Sequence, residues 1–115
     1  MNARADTWVT IGHLADIPLR GARTVTTRSG DVAVFRTASG EIFAIEDRCP
    51  HRGGPLSQGI VHDDAVTCPL HNWVICLRSG AARGADSGCV KTLPVRLDAD
   101  RISIDVSAYT AREAG

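Results

Sequence analysis

Two short clusters of cysteine and histidine limit what this chain can fold into. Cys49-Pro50-His51 is followed by Cys68-Pro69-Leu70-His71, with sixteen residues between His51 and Cys68. Thiolate and neutral imidazole are soft-to-borderline ligands that suit zinc or iron rather than calcium or magnesium. A shared metal requires two separate loops to meet at one end of the fold. The neighbours of the ligands fit such loops. Pro50 and Pro69 each follow a cysteine, fix φ and remove an N–H that would otherwise need a partner. Gly53, Gly54 and Pro55 follow the first histidine and permit a tight turn.

The rest of the chain has a β pattern. Trp8 to Gly12 alternates briefly, and Arg23 to Thr27 is a weaker second strand. Asp31 to Thr37 is rich in β-branched residues, turns at Ala38 to Glu41 and returns along Ile42 to Ile45 as a hairpin. Residues 47–59 form the first ligand loop. Gly59 to His62 and Ala65 to Cys68, turned at Asp63-Asp64, make a second hairpin that ends at the second ligand pair. Trp73 to Leu77 is wholly apolar and predicts a strand buried on both faces or nearly so. A Gly-rich loop from Ser79 to Gly88 follows. Leu93 to Leu97 and Arg101 to Val106 close the chain as a last hairpin turned at Asp98 to Asp100. Short strands broken by turns at this density predict an all-β sandwich or barrel.

A chain of 115 residues predicts one domain, residues 1–115, with a core over about 7–106 and a tail over 107–115 that is a frayed helix or disordered. Net charge is +0, which argues against a general attraction to nucleic acid or an anionic membrane. No apolar run approaches the ~20 residues of a membrane span. The first residues lack the apolar stretch of a signal peptide, so the expected location is cytoplasmic. In that compartment four cysteines are expected to be metal ligands or inert thiols rather than disulfides.

Spacing separates iron from zinc. Zinc fingers usually pair Cys with Cys and His with His, at gaps of two or more residues. Here each pair is mixed, and the first gap is one residue. Cys-x-His with Cys-x-x-His is instead the layout of a Rieske [2Fe–2S] centre, in which two imidazoles replace two thiolates on one iron. Two ferric ions are then balanced by two sulfides and two thiolates, so the oxidised cluster is neutral. An all-Cys cluster is two charges more negative and harder to reduce. This accounts for the direction of the known Rieske range, roughly −150 to +300 mV against about −400 mV for plant-type ferredoxins. The expected ligands are Cys49, His51, Cys68 and His71, with the cysteines on the inner iron and the histidines on the outer one. A structural zinc module that only binds a partner is the non-redox reading.

The run from Cys49 to Gly59 resembles Rieske domains generally. Thr67 to Ile75, including His71-Asn72-Trp73-Val74-Ile75, resembles the small subunit of the assimilatory NAD(P)H-dependent nitrite reductase, and Gly84-Ala85-Asp86 and Leu93-Pro94-Val95 also fit that family. The resemblance implies a Rieske β-sandwich with its cluster loops at one end. It implies a partner, a large subunit carrying FAD, a [4Fe–4S] cluster and sirohaem, that reduces nitrite to ammonium with NAD(P)H. This chain would then be an electron carrier with no catalytic residue of its own. The alternative is a free Rieske ferredoxin serving an aromatic-ring dioxygenase.

The resemblance also bears on the potential. High-potential Rieske proteins join their loops by a disulfide and aim Ser and Tyr hydroxyls at the cluster sulfurs. The matching positions here are Gly54 and Leu70 for the disulfide, and Trp73 and Ile75 for the hydroxyls. Fewer hydrogen bonds to sulfur leave the reduced cluster less stabilised, so the expected potential is near the low end, about −150 mV. Among the remaining residues, Cys76 is expected to be a small buried core residue and Cys89 a free thiol. His13 and His62 are expected at surface or turn positions. Trp73 is expected to pack under the second loop, and Arg52 to be solvated.

Overall fold

The computed structural model describes residues 8–27, 30–49, 54–69, 73–83 and 88–107. Among the described residues, ten strands follow one another. They are β1 (Trp8–His13), β2 (Gly21–Thr27), β3 (Gly30–Arg36), β4 (Ile42–Glu46), β5 (Ile60–His62), β6 (Ala65–Thr67), β7 (Val74–Cys76), β8 (Thr92–Leu93), β9 (Val95–Asp98) and β10 (Arg101–Asp105). They form three antiparallel sheets, ordered β1-β10-β9, β2-β3-β4-β8 and β5-β6-β7. The all-β expectation holds. No helix of the described residues is long and apolar enough to cross a membrane.

The four-stranded sheet is a wall between two cores, and β3 shows why. Val32, Ala33, Val34 and Phe35 are all fully buried. Side chains alternate across a strand, so Ala33 and Phe35 enter one apolar cluster while Val32 and Val34 enter the other. Strand β4 divides in the same way. Ile45, paired with Ala33, joins the first cluster, and Ala44, paired with Val34, joins the second. The second core is closed by Ile11, Ile102 and Ile104 from the β1-β10-β9 sheet. The first is closed by Val61, Val66 and Ile75 from the β5-β6-β7 sheet. The ligand-bearing module is thus an insertion between β4 and β8, packed on one face of the wall.

Both predicted hairpins ahead of the second ligand pair are present, with Val32 to Arg36 opposite Glu46 to Ile42 and Ile60 to His62 opposite Thr67 to Ala65. Two expectations are corrected. The Trp73–Leu77 run is not buried on both faces. Its strand is only Val74–Cys76, with Ile75 buried and Val74 and Cys76 half-buried, so among the described residues its outer side is only partly covered. Leu93 does not belong to the last hairpin. It pairs with Ala44 in the wall, and Pro94, which lacks an N–H to continue a ladder, marks the switch to β9 and the other sheet. Within the first ligand loop, Leu56–Gln58 forms a 3-10 turn. The tail from residue 108 and the Gly84-Ala85-Asp86 segment lie outside the described residues.

Candidate metal centre

Cys49 ends the segment that leaves β4, and Cys68 immediately follows β6. Both are buried, at 1% and 0% exposure, and both belong to the apolar cluster that includes Phe35, Ile45, Leu56, Val66 and Ile75. The fold therefore gathers two cysteines nineteen positions apart (49 to 68) into one packed region.

The two loops are closed alike. The Cys49 N–H donates to the Gly54 carbonyl at 2.8 Å, and the Cys68 N–H donates to the Trp73 carbonyl at 2.7 Å. In each case the cysteine sits at the base of its loop, and the acceptor lies five positions on (49 to 54, 68 to 73). The second loop is the β6–β7 connection, so the ladder from Thr67↔Val74 back to Ala65↔Cys76 anchors it. The first loop returns to the sheet through the 3-10 turn, where the Gly59 N–H donates to Leu56 O at 2.9 Å. Gly59 then passes so close to the β6 backbone that a Cβ there would run into the Thr67 carbonyl. Only glycine lets the first loop end against the residue that precedes Cys68. His51 and His71, like Arg52 and Leu70, lie outside the described residues.

A buried thiolate is costly unless its charge is neutralised. Two cysteines buried among apolar side chains at the bases of paired loops therefore fit a metal that binds thiolate, such as iron, which would supply the neutralisation. The donor set also excludes the hard cations.

Two polar arrangements, one beside this region and one away from it, were not revealed by local patterns in the sequence. The first is Asp47, two residues before Cys49. Its Oδ1 accepts the Ser57 N–H at 2.7 Å, and its Oδ2 accepts the Ser57 hydroxyl at 2.7 Å and the Thr24 hydroxyl at 3.3 Å. An aspartate at the start of a turn-rich loop was the available signal, but its partner is ten positions away.

The second lies at the far end of the β5-β6-β7 sheet. Asp64 accepts from Arg83 at 2.7 Å, while Arg78 pairs with Glu41 at 3.1 Å and stacks over the Phe43 ring at 5.0 Å. The Arg83 hydrogen bond holds the Asp64 carboxyl below the ordinary carboxylate range, against a smaller opposing effect of burial. Cys76 faces this cluster and is not the buried core residue expected. It is half-buried. Burial pushes its thiol up, but the Ser79 hydroxyl, the Ser79 and Arg78 N–H groups and Arg83 together outweigh that and bring it below the ordinary thiol range.

The remaining candidates are ordinary. Cys76 and Cys89 form no disulfide. The Cys76 N–H donates to the Ala81 carbonyl, and Ala81 bridges to Cys89, which puts the two backbones about two strand spacings apart, roughly 9–10 Å. That exceeds disulfide reach. His13 is exposed at the end of β1. His62 is neither a turn nor a free surface residue. It is half-buried in β5 and shares a 2.7 Å hydrogen bond between Nε2 and the Thr67 hydroxyl. Trp73 packs against the apolar cluster beneath the second loop, as expected.

Comparison with known proteins settles the family. The Rieske [2Fe-2S] domain model matches residues 7–94. This chain belongs to the Rieske [2Fe–2S] family. Such a domain binds a two-iron, two-sulfide cluster, which agrees with the buried thiol pair. The chain is 40% identical over 94 residues to the 3-phenylpropionate/cinnamic acid dioxygenase ferredoxin subunit of Photorhabdus laumondii, covering 80% of this chain and 88% of that one. It is 56% identical over 43 residues to the 4beta-methylsterol monooxygenase of Methylococcus capsulatus, but this spans 37% of the chain and only 12% of that much longer protein. Among solved structures it resembles a Mycobacterium tuberculosis protein described as an NADH-dependent nitrite reductase small subunit. The TM-score is 0.77 at 26% identity, over 84% of this chain and 92% of that one. The Rieske domain is thus an electron carrier of oxidoreductase systems.

Proposed function

We propose that this chain is a Rieske ferredoxin that carries single electrons to the oxygenase component of a dioxygenase. The observation that carries the reading is the 40% identity to a dioxygenase ferredoxin subunit, of which the match spans 88%, so the likeness extends over nearly the whole of that carrier. The ligands are Cys49 and Cys68 on the inner iron and His51 and His71 on the outer one. The cluster supplies a one-electron couple, and the protein's part is to hold its sulfurs in a dry, apolar base. Trp73 and Ile75 offer no hydroxyl to the cluster, and a midpoint near −150 mV is expected. A redox titration with a clearly positive midpoint at neutral pH rejects that value.

A second reading, in which the chain is the small subunit of an NAD(P)H-dependent nitrite reductase, is supported by the His71-Asn72-Trp73-Val74-Ile75 run and by the nitrite reductase small-subunit likeness. In that reading the partner is the large FAD and sirohaem subunit. One experiment separates the two. The holoprotein is reduced with dithionite, and its reoxidation is followed on mixing with a purified oxygenase component and, separately, with a nitrite reductase large subunit plus nitrite. Rapid reoxidation by the oxygenase alone supports the first reading. Reoxidation that requires nitrite and the large subunit replaces it with the second.

A further inference from the structure

The first ligand loop has to be held at both ends if Cys49 is to meet Cys68 in a fixed relation. Its outgoing end is tied to the wall, where the Asp47 N–H donates to Asp31 O at 3.0 Å and the Glu46 N–H to Lys91 O at 2.9 Å. Its returning end, the 3-10 turn Leu56–Gln58, has no comparable ladder, since β5 begins only at Ile60. The Asp47 carboxylate fills that gap. One oxygen accepts the Ser57 N–H at 2.7 Å and the other accepts the Ser57 hydroxyl at 2.7 Å. Charge-assisted bonds of this length are among the stronger hydrogen bonds in proteins. The contact joins position 47, fixed on the wall, to position 57, two residues before Gly59. Gly59 in turn abuts Thr67, the residue before Cys68. A continuous path of covalent bonds and close contacts thus runs from Cys49 through Asp47, Ser57 and Gly59 to Cys68.

We infer that Asp47 is a positioning residue for the cluster, acting through Ser57 to fix the spacing of the Cys49 loop against Cys68. Asp47 touches neither iron nor sulfide in this reading, and the inference rests on the ligand assignment proposed above. Outer-shell partners that orient metal ligands are typically worth about 10–100-fold in metal affinity. The carboxylate's role here is geometric. An amide at position 47 keeps an oxygen for the Ser57 N–H, and its NH₂ can donate to the Ser57 hydroxyl, which can reverse its role.

The test uses the holoprotein and five variants, Asp47→Ala, Asp47→Asn, Ser57→Ala, the double variant Asp47→Ala/Ser57→Ala and His71→Ala. Two quantities are measured, the rate of iron release to a chelator and the EPR spectrum of the reduced protein. Asp47→Ala and Ser57→Ala are expected to release iron about 10-fold faster or more than wild type and to broaden or shift the EPR lines. Asp47→Asn is expected to restore release to within a few-fold of wild type. The double variant is expected to be no worse than Asp47→Ala alone, since Asp47→Ala already removes the carboxylate that the Ser57 hydroxyl contacts. Wild-type release and spectra in Asp47→Ala and Ser57→Ala overturn the inference. So does Asp47→Asn behaving like Asp47→Ala, because the carboxylate's charge is then responsible. The His71→Ala variant tests the ligand assignment separately, since full iron and an unchanged Rieske signal there reject that assignment whatever the other variants do. Ser57→Ala removes only a hydroxyl and retains the backbone contact, which keeps the test available if Asp47→Ala fails to fold.

Discussion

Strand β3 and strand β7 come from the same kind of sequence and do different work. Val32 to Phe35 and Trp73 to Leu77 are both unbroken apolar runs. The first becomes the centre of the wall, paired to β2 over seven residue pairs and to β4 over five, with both faces buried. The second becomes a three-residue strand with one face packed and the other half open. The wall is thus held by long ladders and two apolar faces, and the β1-β10-β9 sheet packs one apolar face against it. The β5-β6-β7 module has three strands of three residues each, two pinched loops and one shared core. Strands this short are marginal by themselves. The difference implies that the frame is stable through burial, and that the module depends on the wall and on a metal to tie its loops together.

Removing the metal should break that dependence most visibly. Chelation, or His71→Ala, is expected to abolish the Rieske EPR signal while leaving most of the far-UV β signal. In hydrogen exchange, the amides of Val66 and Ile75 should lose protection well before those of Val34 and Ala44, because local stability differs between cooperative units. Simultaneous loss of protection in both regions would mean that module and frame unfold as one unit.

Phe35→Ala attacks the opposite side of the comparison. Phe35 is fully buried in the wall face that supports the module. Truncating a buried phenylalanine costs about 3–5 kcal/mol. A denaturant titration of the holoprotein should show that loss, together with faster iron release, since the module loses its floor. Release unchanged in a strongly destabilised variant would show that the cluster loops do not rely on this contact.

Gly59→Ala is expected to act more locally. Its Cβ has no room beside the Thr67 backbone, so the first loop or β6 must shift. An overpacking cost of about 1–3 kcal/mol is expected. Iron retention should suffer more than frame stability, and a crystal structure of the variant should show the displacement at residues 56–60. Wild-type iron retention would show that the two loops tolerate a change in spacing.

Much of this architecture was legible in the sequence. Turn residues at 38–41, 63–64 and 98–100 marked three hairpins, and the ligand spacing separated iron from zinc. The missing information was non-local. An apolar run has the same pattern whether one layer or two will cover it, which is why β7 was expected to be buried on both faces. Leu93 and Val95 look like one strand until Pro94 divides them between two sheets. Asp47 and Ser57 have no shared periodicity, and their contact exists only once the loop between them is closed. Cys76 is set apart from a core thiol first by the Ser79 hydroxyl and the Ser79 and Arg78 N–H groups of the following turn, and then by Arg83.

The smallest effect is expected at the module's far edge, where Asp64 meets Arg83 and Arg78 in the open. The hydrogen bond from Arg83 lowers the folded Asp64 pKa below its usual value of 3.8. A group depressed in this way contributes stability above its unfolded pKa and loses it as the pH falls through its folded pKa. Asp64→Asn should therefore lower the denaturation midpoint slightly at neutral pH, and the gap to wild type should close in acid below the ordinary carboxylate range. High salt should also narrow the gap at neutral pH, because exposed pairs are screened. The backbone bond from the Leu77 N–H to Asp64 O, 2.8 Å, survives the substitution and keeps the turn in place. A gap that persisted in acid or ignored salt would assign the effect to packing of the turn rather than to charge. The ionic contact would then not be what stabilises this edge of the module.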